Sequence, residues 1–162
     1  MKLAKGFNAR FLYDPEMSGR AIDHQDDYFK YGFERGLSIA HSGVVDTIEY
    51  RNDAAFQATA SGFPEDHFIG EWTGVVVIKQ GGSYTFASSS DDGSHIWIDG
   101  RMVVSNEGIH PVRKVTGTID LTAGRHTVKV DFFENEVNPR TPNPQPQTLN
   151  PKPPPSTPNP KP

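Results

Sequence analysis

No cysteine occurs anywhere in the 162 residues, which excludes disulfides, thiolate zinc sites and cysteine nucleophiles together. Long apolar runs are missing too. Nothing approaches the ~20 residues of a membrane span, and the opening MKLAKGFNAR has no apolar core of the kind a secretory leader carries. Lys and Arg cluster on no predicted face, and the net charge is -4 with both signs interspersed. That excludes nucleic acid as a natural partner, because neutralising phosphates needs a basic footprint. Proline is sparse up to Asn138 and abundant after it, with eleven of the fourteen prolines beyond that point. The shift predicts one domain over residues 1–138 and an extended tail over residues 139–162.

The first segment is patterned as strands. Phe7, Ala9, Phe11 and Tyr13 alternate with Asn8, Arg10 and Leu12, the period of a strand with one buried face. Residues 20–35 crowd Tyr28, Phe29, Tyr31 and Phe33 among charged residues, which suits either a short helix or an irregular aromatic loop, with the rings either plugging one end of the fold or offering a ligand-stacking platform. A strand is expected over residues 44–50 and a polar loop over residues 51–67. Trp72, Gly74, Val76 and Ile78 then alternate up to Gly81 and Gly82, which predicts a hairpin returning through residues 83–88, with positive φ at the turn. Ile96, Trp97 and Ile98 lead to Asp99-Gly100, a type I′ hairpin signal, and on to Met102, Val103 and Val104. Val115, Ile119 and Leu121 mark a further strand. Over residues 126–133, Val128, Val130 and Phe132 share one face, with Thr127, Lys129 and Asp131 on the other. At least seven short strands with regular turn signals predict an all-β, antiparallel β-sandwich.

The centre of this pattern is residues 83–100, SYTFASSSDDGSHIWIDG. Asp91 and Asp92 stand side by side between two strands, and adjacent carboxylates repel unless solvated, protonated or bound to something. Two readings stand at this point. The pair either binds a hard cation or forms a turn by accepting backbone N–H bonds. His95 and His110 suit plain surface or interior positions better than ligation, and Trp72 and Trp97 suit core packing. No nucleophile and base stand at a catalytic spacing. Adjacent aspartates on one loop also cannot flank a glycosidic bond at the ~5 Å or more that glycoside hydrolysis needs. The reading is therefore non-catalytic.

The ordered set GEWTGVVVIKQGGSYTFASSSDDGSHIWIDGRMVV and TGTIDLTAGRHTVKVDFFEN resembles the PA-fourteen (anthrax protective-antigen lectin-like) domain family, a β-sandwich found in flocculin-type adhesins and many surface proteins. The likeness spans residues 6–134. It implies that Asp91 and Asp92 hold Ca²⁺ across a cis peptide and that the ion chelates sugar hydroxyls. It further implies a ligand from a second loop near the domain's end, where Asn135 stands, usually followed by a closing strand that is not evident here. Asn106, Glu107 and His110 would frame the sugar beside the aspartate pair.

The tail has one large apolar residue, Leu149, and repeats Asn-Pro-x-Pro at Asn143, Asn150 and Asn159. Proline fixes φ near the polyproline II value and removes donors a sheet would need, so a stalk that continues past Pro162 is expected. Thr141, Thr148, Ser156 and Thr157 lie close to prolines as in O-glycosylated stalks, and no Asn-x-Ser/Thr acceptor exists. Two functions follow from these features. One is an extracellular module that binds glycans or a surface polysaccharide through calcium. The other is a filament or coat subunit that assembles with copies of itself through the sandwich and the glycosylated tail.

Overall fold

A computed structural model describes residues 6–17, 27–50, 53–64 and 66–135. The proposed boundary at Asn138, the tail and its four candidate glycosylation sites lie outside the described residues. Eight strands and two short helices follow one another as β1 (Phe7–Tyr13), α1 (Tyr28–Glu34), β2 (Ile39–Val45), α2 (Asp53–Gln57), β3 (Phe68–Ile78), β4 (Gly82–Ser90), β5 (Ser94–Ile98), β6 (Arg101–Asn106), β7 (Arg113–Leu121) and β8 (Gly124–Glu134). One sheet has the order β2-β1-β3-β8-β5-β6, the other pairs β4 with β7, and every pairing is antiparallel. No helix among the described residues is long and apolar enough to cross a membrane.

Alternation along the strands decides what each face of the large sheet meets. Ala9, Phe11, Trp72, Val128, Val130 and Phe132 point toward Tyr84 and Phe86 of β4 and build the main core. Trp72 donates its ring N–H to the Tyr50 hydroxyl at 3.2 Å, so its polar atom is satisfied inside the core. The opposite face is not left to solvent. Leu12, Ile69 and Phe133 form a second buried cluster with Met17, Tyr28 and Phe29. The aromatic segment is thus a helix lying across the outer face of the sheet, not a plug at one end. Asp27 caps it by accepting the Lys30 N–H. Asp27 also pairs with Lys129, whose ammonium sits 3.8 Å from the centre of the Trp97 ring.

Three local expectations are corrected. β3 and β4 are not a hairpin: β3 pairs with β1 and β8, β4 pairs with β7, and neither Gly81 nor Gly82 has positive φ. The chain crosses there from one sheet to the other, and crossing strands need no twist-matched turn. The second strand lies at Ile39–Val45, with only an isolated bridge at Glu49. It is an edge strand exposed on both faces, with Val44 67% exposed, and so carries no period of two. Within the expected loop, α2 turns Phe56 into the core, where it stacks on Phe68 at 4.7 Å. The Asp99-Gly100 turn does join a hairpin, β5 to β6, with both residues at positive φ.

Candidate functional site

β4 ends in one sheet and β5 begins in the other, so Asp91, Asp92 and Gly93 span the gap between the sheets at one end of the sandwich. The Asp91–Asp92 peptide bond is cis. Three contacts fix the loop. The Gly93 carbonyl accepts the Phe133 N–H at 3.0 Å. Asp92 Oδ1 accepts the His110 N–H and Oδ2 accepts the Asn135 N–H, each at 3.1 Å. Gly93 is required by proximity, since a Cβ there would stand 2.4 Å from Phe133 Cε1 and 2.6 Å from the Tyr28 hydroxyl oxygen.

Beneath the loop lies a buried polar network. The Ser94 hydroxyl bonds to those of Ser88 and Ser90, and Asn106 donates its amide to Ser90 Oγ and to the Arg113 carbonyl. Arg113 returns a bond from Nε to Asn106 Oδ1 at 2.7 Å and another from Nη2 to the Glu107 carbonyl at 2.7 Å. These bonds hold the β6–β7 connection, which carries His110, against the aspartate loop. Ser90, Ser94 and Arg113 were not singled out from sequence. The serine run flanking Asp91-Asp92-Gly93 was the available signal, and Arg113 had none.

The candidate residues therefore divide. Asp91, Asp92, His110 and Asn135 come together. Asn106 is fully buried with its amide spent on the network, so it supports the loop from below. Glu107 accepts from the Ser105 hydroxyl at the surface. His95 is buried, with Nδ1 3.0 Å from Asp131 Oδ1 and its ring 4.4 Å from that of Tyr28 at the start of α1. Trp72 and Trp97 are both buried.

Electrostatics single out the pair. Asp92 is only 3% exposed, and burial pushes its carboxyl up to about 6, opposed by the Asn135 and His110 N–H groups and reinforced by the charge of Asp91. Burial also raises Asp91, opposed by His110. Beside them, Asn135 Oδ1 is buried and has no hydrogen-bond partner, an unusual state for a buried amide oxygen. Among the described residues no three His, Cys, Asp or Glu converge on one point. The donors at hand are all oxygens: two carboxylates and one amide. That set fits a hard cation, with backbone carbonyls and water completing its shell, and does not fit a soft one.

The PA14 domain family model matches residues 31–148. This chain belongs to that family. As a PA14 domain it is similar in fold to the PA14 domain of the MpAFP antifreeze protein, with a TM-score of 0.63 at 16% identity over 83% of this chain and 80% of that one. A PA14 sugar-binding domain from an RTX adhesin matches with a TM-score of 0.60 at 21% identity over 80% and 82%. The A domain of epithelial adhesin 9 from Candida glabrata, solved with Galb1-3GlcNAc, matches at 0.57 and 13% over 82% and 76%. At these identities the likeness is one of fold. The PA14 domain also matches part of larger chains, spanning 41% of an anti-sigma factor domain-containing protein and 14% of a GH31 alpha-xylosidase from Xanthomonas citri. No curated protein matches.

Proposed function

We propose that this PA14 domain is a non-catalytic, extracellular carbohydrate-binding module in which Asp91, Asp92 and the side-chain oxygen of Asn135 hold a calcium ion. The observation that carries the reading is the unpartnered Asn135 Oδ1 beside the buried Asp92 carboxylate and its partly exposed neighbour Asp91. Two carboxylates with raised affinity for protons and a bare amide oxygen are stabilised together by one divalent cation. Bound there, calcium supplies charge and open coordination positions for vicinal hydroxyls of a glycan.

The chain's own residues set the rest. Asp92 is oriented by two backbone N–H donors, so its remaining lone pairs point where the loop dictates. Asp91, partly exposed, supplies the second carboxylate at the surface. The His110 loop forms one side of the site and is held by Arg113. Two fold neighbours, a sugar-binding domain from an RTX adhesin and an adhesin domain solved with Galb1-3GlcNAc, favour the same chemistry, and the surface setting of adhesins favours an extracellular one.

The test is retention on a glycan panel with calcium and with chelator. The wild type should be retained only with calcium, and Asp91→Asn with Asp92→Asn should be lost from every glycan. Equal retention of both proteins, or retention indifferent to chelator, overturns the reading.

A further inference from the structure

On the outer face of the large sheet, α1 and the strands β1 and β3 enclose an open cleft of about 380 Å³, lined by Arg10, Phe29, Lys30, Phe33, Glu34 and Glu71. Its apolar surface is aromatic. Phe33 is 44% exposed and meets Phe29 edge-on at 5.0 Å. The cations are already matched: Arg10 stacks over Phe29 and pairs with Glu71, and Lys30 lies 3.6 Å from Glu34. The same pairs match the carboxylates Glu71 and Glu34, so what remains on offer is the exposed Phe33 ring.

We propose that this cleft takes the chain's own proline-rich segment, residues 139–162. Aromatic-lined grooves recognise proline because its ring packs flat on an aromatic surface, and a segment already restricted in φ gives up little entropy on binding. Charge points to the same occupant. Residues 139–162 carry Arg140, Lys152 and Lys161 and no acidic residue, a charge of +3, so residues 1–138 carry -4 minus +3, or -7. Each of the three basic residues adjoins a proline, as in Pro151-Lys152-Pro153. A basic proline segment therefore meets an acidic domain at its exposed aromatic cleft.

Reach presents no obstacle. Glu71 pairs in register with Asp131 on β8, four residues before Asn135, or about 13 Å along the strand at ~3.3 Å per residue. The seventeen residues from Asn135 to Lys152 span roughly 50 Å at the ~3.1 Å per residue of polyproline II. Tethering raises the local concentration to about the millimolar range, so weak contacts suffice for docking. The inference does not rest on the sugar site, which lies at the end of the sandwich.

The test uses the full chain, whose lack of cysteine allows a single spin label at Ser156→Cys. Amide signals of Lys30, Phe33, Glu34 and Glu71 should broaden several-fold more than those at the Asp99-Gly100 turn. Phe33→Ala should abolish the contrast, and Glu34→Lys, at a more exposed position, should weaken it if the first variant folds poorly. Uniform or absent broadening overturns the proposal. A mixture of isotope-labelled and spin-labelled chains separates the source. Broadening that persists there at undiminished strength assigns the cleft to a second copy's segment and overturns docking within one chain.

Discussion

At Asp92 a single carboxylate ties two distant stretches of chain to one loop, because its two oxygens accept backbone N–H bonds from His110 and Asn135. Those bonds explain why a buried aspartate is tolerated next to another acid; they oppose the burial that pushes its carboxyl up to about 6. Gly93, the next residue, lets Phe133 and the Tyr28 hydroxyl close over the loop. Gly93→Ala forces a methyl group into both and should cost about 2 kcal/mol, the usual penalty for overpacking. Thermal melting would show this as a lower Tm, and an unchanged Tm would mean that Tyr28 and Phe133 yield freely. Asp91 and Asp92 were legible in the sequence because acids side by side need a reason. Arg113 was not, because the buried polar network it joins draws its members from four strands and leaves only the serine run as a linear signal.

At the scale of elements, the strands were legible where one face is buried. β1 and β8 stand where alternation put them, and β5 where its apolar run did, joined to β6 by the expected hairpin whose turn residues demand positive φ. Partners were harder to read. β3 and β4 are joined by glycines that look like a hairpin turn, yet they belong to different sheets, since sheet membership depends on long-range packing that no local pattern records. β2 was misplaced because an exposed edge has no burial to print a period. Where the two sheets meet, β7 passes so close to β6 that a Cβ at Gly117 would lie 1.7 Å from the Val103 carbonyl oxygen. Backbone cannot yield as a side chain does. Gly117→Ala should therefore destabilise by roughly 3 kcal/mol or more, more than Gly93→Ala, and parallel denaturant titrations would rank the two. The reverse order would contradict the register of β7.

For the whole molecule, the outer face under α1 holds a further buried acid whose titration is coupled to folding. Burial pushes Asp131 up to about 6, opposed by the hydrogen bond to His95, while its other oxygen accepts the Tyr28 N–H at the start of α1. The folded value stands above the ordinary 3.8, so between about pH 4 and 6 the folded state binds the proton more tightly than the unfolded chain. Its contribution to stability is present at low pH and lost as pH rises through that window. Asp131→Asn removes the dependence. Stability of the wild type relative to the variant should fall by roughly 1–3 kcal/mol from pH 4 to pH 7, and a flat difference across those titrations would show that Asp131 titrates normally.

The measurement closest to the central claim is calorimetric titration of calcium into the metal-free full chain, with Asp92→Asn and Asn135→Ala in parallel. One calcium ion should bind per wild-type chain, with affinity at least tenfold weaker in each variant. No calcium uptake by the wild type, or equal affinity in all three, would contradict the assignment of the Asp91, Asp92 and Asn135 oxygens as one cation site.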